Sequence, residues 1–148
     1  MTPVFVHLHV HTEYSLIDSV VRVPELVAAA AAAGMPAVAI TDRGNLFGLV
    51  KFYRAALAAG VQPIVGAEVW VGGGADKGQP DRQEPCRLVL LCRNQAGYRN
   101  LCQLLTRAWL EGQQGGLPLL RPGWLDETTA EGLIALSGGR DGVLVRAL

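Results

Sequence analysis

Three histidines lie at alternate positions of one short segment, FVHLHVHTEY, which contains every histidine of the chain: His7, His9 and His11. Apolar residues alternate with them, and this period of two predicts a β-strand over Val4 to His11 with one aliphatic face and one imidazole-bearing face. Side chains two positions apart on a strand lie about 6 to 7 Å apart. Neighbouring imidazoles at that spacing can bind one metal cation, and the carboxyl group of Asp18 follows them closely in the sequence.

Spacing alone leaves two interpretations of these histidines open. A histidine on a strand is commonly a half-buried group that hydrogen-bonds to its neighbours. Three of them beside carboxylates favour a site for a metal or a phosphate. In α/β sheets, ligands bind beyond the carboxyl ends of the strands, and His9 and His11 fall at that end of the predicted strand.

The rest of the sequence alternates strand and helix patterns. Apolar runs predict strands at MPAVAIT, PIVGAEVWV, RLVLLC and GLIALSGG, and helical spacing predicts helices at ELVAAAAAAG, NLFGLVKFYRAALAAG and NQAGYRNLCQLLTRAWLEG. Crossovers of helical length indicate an α/β fold with parallel strands. The polar segment from Gly72 to Pro85 predicts a solvated loop, because no Ser or Thr follows Lys77 as a phosphate-binding loop requires.

The composition, 50% hydrophobic and 18% charged over 148 residues, is that of one soluble globular domain. Thirteen basic residues balance thirteen acidic ones, so the net charge gives no reason to expect electrostatic binding to nucleic acid or to an anionic membrane. No apolar run approaches the roughly 18 to 20 residues of a membrane span, and no signal peptide is apparent. We therefore expect a cytoplasmic protein with no membrane contact.

The motif HLHVHTEYSLID resembles the opening motif of the PHP (polymerase and histidinol phosphatase) domain family. The resemblance continues to about Gly139 through GMPAVAITDRGNLFGLVKFYRAALAAGVQPIVGAE, GYRNL and EGLIALSGG, in matching order. These segments are similar to the N-terminal PHP domains of the alpha subunits of bacterial replicative DNA polymerases, the C-family polymerases. The resemblance implies an α/β fold that is part of a distorted PHP barrel of seven β/α units with mostly parallel strands.

The resemblance also implies a site for up to three divalent metals. His9 and His11 match the family's His-x-His pair, Asp18 matches the carboxylate that closes the first motif, and Glu68 matches the acid that ends the PIVGAE strand. These four positions keep ligand chemistry, and zinc or manganese is the metal expected there. His7 is expected to support the pair by hydrogen bonding.

Three positions depart from the metal-binding members of the family. Arg43 and Arg87 stand where those members have His, and Gly139 stands where many have Cys. A guanidinium stays charged and has no lone pair to donate, so the two arginines are poor metal ligands. They can instead replace cationic charge by pairing with Asp18, Asp42 or Glu68. Asp42 is itself expected to anchor the turn after its strand through local hydrogen bonds.

Residues 1–148 are expected to be the N-terminal portion of a PHP domain from a much longer polymerase. The family's last ligand pair, an Asp-x-His, and the palm, fingers and C-terminal domains have no counterpart in them, so we expect no catalytic or cofactor-binding residue for DNA synthesis and no site for its magnesium ions. The full-length subunit would be a DNA-directed DNA polymerase. Its implied partners are the proofreading exonuclease (epsilon) subunit, other replicase subunits, the sliding clamp and DNA.

Two functions of the domain stay open at this point. It is either a degenerate structural module that braces the polymerase and docks the exonuclease, or a metal-dependent phosphoesterase that acts on pyrophosphate or on the 3' end of DNA. A third arrangement is one residual metal held by His9, His11 and either Glu68 or Asp18.

Overall fold

The computed structural model of the chain describes residues 5–72, 85–137, 139 and 142. The loop predicted from Gly72 to Pro85 therefore lies outside the described residues, except at its two ends. The chain divides between Ala67 and Glu68 into two compact units, and this division falls within one continuous strand.

The first unit contains two helices and two strands in alternation. Helix α1 spans Val23–Ala32, strand β1 spans Ala37–Ile40, helix α2 spans Leu49–Ala58 and strand β2 spans Gln62–Val71. β1 and β2 pair in parallel, as two strands joined by a crossover helix must. The predicted alternation of helix and strand from α1 to β2 is confirmed.

The core of the first unit lies between the two helices and the sheet. Its fully buried side chains include Val23, Val38, Ile40 and Phe52, and α1 also packs directly on α2. Because the apolar positions of α1 and α2 recur at helical spacing, each helix can bury one face here. The core fixes β1, whose carboxyl end supports the histidine segment.

The histidine segment lies beside β1 without forming a regular strand. His7 makes one parallel bridge with Val38, and the Thr41 amide donates to the Val10 carbonyl at 2.9 Å. The carbonyls that accept from Ala39 and Thr41, two positions apart on the β1 side, are those of His7 and Val10, three positions apart, so the regular parallel register is interrupted between them. The Val10 amide donates to the Thr41 hydroxyl at 2.9 Å. Val4, where the prediction began, lies outside the described residues.

The second unit contains the end of β2 and the remaining elements. Strand β3 spans Cys86–Cys92, helix α3 spans Gln95–Glu111, strands β4 and β5 span Gln113–Gln114 and Leu117–Leu120, a 3-10 turn spans Pro122–Trp124, and strand β6 spans Leu133–Leu136. The sequence predicted β3, α3 and β6. It missed the β4–β5 hairpin, whose turn glycines, Gly115 and Gly116, both have positive φ as such tight turns require.

The strands follow the order β4-β5-β2-β3-β6, with β1 paired to β2. β2 and β5 are parallel, whereas β3 and β6 are antiparallel and so are β4 and β5. The prediction of mostly parallel strands is therefore wrong, and the sheet is mixed. A two-residue turn joins β4 to β5, and a connection that short can only join antiparallel neighbours. The described residues do not confirm a barrel of seven units.

Helix α3 begins with a side-chain cap. Asn94 accepts a hydrogen bond from the Gly97 amide at 3.0 Å, which satisfies one of the amides that a helix leaves unpaired at its first turn. The helix buries Leu101, Leu104, Leu105 and Ala108 along one side. No helix within the described part of the chain has both the length and the apolar character needed to cross a membrane.

Candidate metal centre

His9 and His11 lie next to each other at the carboxyl end of the histidine segment. Their ring centroids are 5.1 Å apart and the rings meet edge to face, with His9 exposed and His11 half-buried. Because the two residues are separated by one position in an extended segment, their side chains share a face. The predicted juxtaposition of these two imidazoles is confirmed by this geometry.

His7 has a different environment from the other two histidines. Its ring is exposed and lies edge to face against Phe5, with the centroids 4.7 Å apart. The supporting role expected of His7 stays a prediction, and the ring contact described for His7 is with Phe5.

The predicted ligand Asp18 is joined to an arginine. The Arg43 Nη1 atom lies 2.6 Å from Asp18 Oδ2, and both side chains are about a quarter exposed. This is a charge-assisted hydrogen bond in which the guanidinium neutralises the charge of the carboxylate. The pairing that the sequence suggested for Arg43 is present.

Glu68 is the most deeply buried carboxylate among the predicted ligands. Its side chain is 0% exposed, and Arg87 Nε lies 3.9 Å from its Oε1 atom. The Arg87 guanidinium also stacks over the Trp70 ring, 4.8 Å from the ring centroid. A buried carboxylate needs compensating positive charge or hydrogen bonds, and Arg87 provides part of this compensation.

Within the described residues, one group of His, Cys, Asp and Glu side chains has the geometry of a shared metal site, and its members are His9, His11 and Glu68. Their ligand atoms all lie within 4.8 Å of one another. Two atoms bound to one zinc ion at about 2.0 to 2.2 Å are at most about 4.4 Å apart, so small side-chain rotations would suffice. Two imidazoles and a carboxylate suit zinc or manganese, and these residues therefore fit a divalent cation.

Gly139 has a backbone conformation that suits glycine. Its φ is +68°, and an added Cβ would meet no atom within 4 Å. A cysteine there would have space but would need a left-handed backbone, which non-glycine residues rarely adopt. The departure from the family pattern at Gly139 is thus accompanied by local geometry that disfavours cysteine.

Asp42 has a larger structural role than the sequence indicated. It is 1% exposed and accepts hydrogen bonds from the Thr12 amide, the Thr12 hydroxyl and the Ser15 hydroxyl, each at 2.7 Å. The prediction that Asp42 anchors its own turn through local hydrogen bonds is wrong, because the partners described here, Thr12 and Ser15, lie about thirty residues earlier in the sequence. The signal for them was the hydroxyl pair Thr12 and Ser15, placed directly after the histidines.

Comparisons with known proteins show the family to which the chain belongs. A profile of the PHP domain matches residues 7–148 of the chain. The chain therefore belongs to the PHP domain family, as its histidine motif and its α/β elements had suggested.

Relatives of the chain include polymerase subunits. The chain is 48% identical over 148 residues to DNA polymerase III subunit alpha of Pseudomonas aeruginosa, and the match covers 100% of this chain and 12% of that protein. It is 47% identical over 148 residues to DNA polymerase III subunit alpha of Escherichia coli strain K12, and this match covers 99% of the chain and 12% of that protein. The chain thus corresponds to the PHP region of such subunits and spans a small part of their length.

A solved structure extends the comparison to the fold. An amidohydrolase from Chromobacterium violaceum, solved with bound sulfate and no metal, matches 70% of this chain and 32% of its own, with a TM-score of 0.52 and 25% sequence identity. The mixed α/β arrangement described above is therefore shared, over 70% of the chain, with this amidohydrolase.

Proposed function

We propose that the chain is the PHP module of a DNA polymerase III alpha subunit and serves it as a structural and docking domain. The observation that supports this best is the Arg43–Asp18 ion pair, in which a guanidinium neutralises the carboxylate that closes the histidine motif. Template-directed DNA synthesis belongs in this proposal to the full-length subunit, as do its magnesium ions and its contacts with DNA, the sliding clamp and other replicase subunits.

Electrostatics argue against a cluster of several metals beside these arginines. A guanidinium remains protonated at any working pH. A dication about 4 Å from a guanidinium would meet a repulsion on the order of 8 kcal/mol at an effective dielectric constant of about 20. Arg43 and Arg87 therefore replace part of the cationic charge that a larger metal cluster would bring.

His9, His11 and Glu68 nevertheless keep the chemistry of a single divalent site, with Asp18 and Gly139 outside it. The imidazoles would bind the cation through nitrogen lone pairs, and the buried Glu68 would add negative charge in a low-dielectric environment. When bound, the cation would supply a Lewis acid. Residual phosphoesterase action on pyrophosphate or a DNA 3' end is the second candidate function, and this ligand group is the observation that favours it.

Metal content separates these alternatives. We expect the complete gene product to bind one equivalent of zinc or manganese, and the His9→Gln and His11→Gln variants to lose it. His7→Gln is the matched control, because it changes the third histidine of the same segment. More than one bound equivalent, together with turnover of pyrophosphate or 3'-terminated DNA that both variants abolish, would replace the structural proposal with the hydrolytic one.

A docking role is supported by exposed aliphatic side chains after the histidine segment. Leu16, Ile17 and Val20 are 89%, 97% and 92% exposed. Isolated exposed apolar residues are ordinary, but a cluster of this exposure is typical of a surface that another polypeptide covers. We propose that this surface serves a protein partner, with the proofreading exonuclease (epsilon) subunit as the first candidate.

Serine substitutions test the docking role. A Leu16→Ser, Ile17→Ser, Val20→Ser variant should lose exonuclease binding in a pull-down or titration while keeping its secondary structure. The matched control replaces exposed apolar residues of the second unit, Leu110 and Leu117, which are 79% and 42% exposed. Equal exonuclease binding by wild type and the Leu16→Ser, Ile17→Ser, Val20→Ser variant would exclude this surface as the docking site.

A further inference from the structure

The peptide groups on both sides of His11 are held by hydrogen bonds. On the preceding peptide, the Val10 carbonyl accepts from the Thr41 amide at 2.9 Å. On the following peptide, the Thr12 amide donates to Asp42 Oδ1 at 2.7 Å and the His11 carbonyl accepts from the Ser19 hydroxyl at 2.8 Å. The backbone of His11 is thus fixed from both ends.

Asp42 is the charged residue among these hydrogen-bonding partners, and it contacts more than Thr12. Its Oδ1 atom also accepts from the Ser15 hydroxyl at 2.7 Å, and Ser15 in turn accepts a hydrogen bond from the Arg43 amide at 3.1 Å. The Ser15 carbonyl accepts from the Asp18 amide at 2.9 Å. One buried carboxylate therefore connects the backbone of His11 with the loop that carries Asp18.

We propose that Asp42 is a positioning residue that presets His11 for cation binding. It does not enter the ligand group itself, since that group comprises His9, His11 and Glu68. Outer groups that orient a metal ligand commonly change metal affinity by about 10 to 100 fold when they are removed. This inference rests on the proposed metal site, and it assigns to Asp42 a role in that site in addition to its role in the loop.

Two substitutions of Asp42 separate geometry from charge. Asp42→Ala removes all three acceptor contacts. Asp42→Asn keeps an oxygen for the Thr12 amide and Ser15, and its amide group can donate to the Thr12 hydroxyl, which then acts as acceptor. We therefore expect the cobalt or zinc affinity of the complete gene product to fall about 10 to 100 fold in Asp42→Ala and to return within about threefold of wild type in Asp42→Asn.

Asp126 provides the matched control. It too accepts hydrogen bonds from a nearby threonine, with the Thr129 amide 2.8 Å and the Thr129 hydroxyl 3.0 Å from its Oδ1 atom, but it lies in the second unit. Asp126→Ala should leave metal affinity unchanged. Unchanged affinity in Asp42→Ala, or an equal loss in Asp126→Ala, would overturn the proposal.

A second measurement keeps the inference testable without metal. Hydrogen exchange read by mass spectrometry should show faster exchange in peptides covering residues 8–19 in Asp42→Ala, and near wild-type exchange in Asp42→Asn. If wild type binds no cation, the proposed metal site fails, while exchange still decides whether Asp42 holds His11. If Asp42→Ala does not fold, Ser15→Ala is the alternative. It removes one of the three hydrogen bonds that Asp42 accepts, together with the acceptor of the Arg43 amide, and should lower affinity by a smaller factor. Wild-type affinity and exchange in Ser15→Ala would then overturn the proposal.

Discussion

Arg43 and Asp18 form an ion pair in which the Arg43 Nη1 atom lies 2.6 Å from the Asp18 Oδ2 atom. Asp18 lies in the loop that follows the histidine segment. Both side chains are partly exposed, so solvent screens the pair and its contribution to stability is on the order of 0.5 to 1 kcal/mol. Its larger consequence is chemical, because a carboxylate that the family resemblance implies to be a metal ligand is already occupied by a protein cation.

Replacing this arginine with a ligand should change metal stoichiometry. In Arg43→His, the loss of the guanidinium frees Asp18 and supplies an imidazole, so we expect bound zinc or manganese to rise above the wild-type equivalent. Atomic emission of dialysed protein measures this directly. Arg54→His, at an exposed position of α2, is the control and should bind no additional metal. Equal metal content in Arg43→His and wild type would show that Arg43 does not block a second ion.

Arg87 should compete with a cation for Glu68. In Arg87→Met the buried carboxylate loses one positive neighbour at 3.9 Å, and we expect a lower melting temperature without metal. Added zinc or manganese can restore positive charge, so it should raise the melting temperature more in Arg87→Met than in wild type. Arg93→Met, at an exposed position after β3, is the control. An equal metal-induced shift in Arg87→Met and wild type would count against competition at Glu68.

The sequence predicted the elements of the site better than their mutual contacts. Alternation of His9 and His11 with apolar residues was sufficient to place both imidazoles on one face, because that follows from backbone geometry alone. The choice among Asp18, Asp42 and Glu68 as partners of each arginine depends on tertiary distances that spacing does not encode. The structure pairs Arg43 with Asp18 and Arg87 with Glu68.

The relative directions of the strands also depend on tertiary contacts that the sequence pattern does not encode. Apolar runs identified β3 and β6, but such runs do not show whether two strands lie parallel or antiparallel. The antiparallel pairing, with Val89 opposite Leu136 and Cys92 opposite Leu133, follows from contacts distant in sequence. Asp42 was missed as a link to Thr12 for the same reason, since the two residues lie thirty positions apart.

The start of α3 depends on a close approach of two glycines. A Cβ added to Gly97 would overlap the carbonyl group of Gly132, and this contact is to backbone, which cannot rotate away. Alanine normally favours a helix over glycine by about 1 kcal/mol, but the overlap outweighs that preference. We expect Gly97→Ala to lower the free energy of unfolding by about 1 to 3 kcal/mol in urea denaturation.

Gly123→Ala is the matched substitution for Gly97→Ala. It lies in the 3-10 turn, where an added Cβ would meet nothing within 4 Å, and its stability should change by less than about 0.5 kcal/mol. A similar stability for Gly97→Ala and wild type would mean that α3 and the Gly132 turn can separate at little cost.

We expect the Cys92 thiol to react slowly with alkylating reagents at neutral pH. Burial, with a smaller contribution from the charge of Cys102, raises the pKa of the Cys92 thiol from 9.0 to about 11. The thiolate is the reactive form, so at pH 8 its fraction falls about 100 fold, while the greater nucleophilicity of a more basic thiolate recovers about tenfold. Peptide mass spectrometry after iodoacetamide treatment should show alkylation of Cys92 about tenfold slower in the native protein than in urea, with the difference shrinking as the pH rises toward 11. Equal native and unfolded rates at pH 8 would show that burial does not suppress this thiolate.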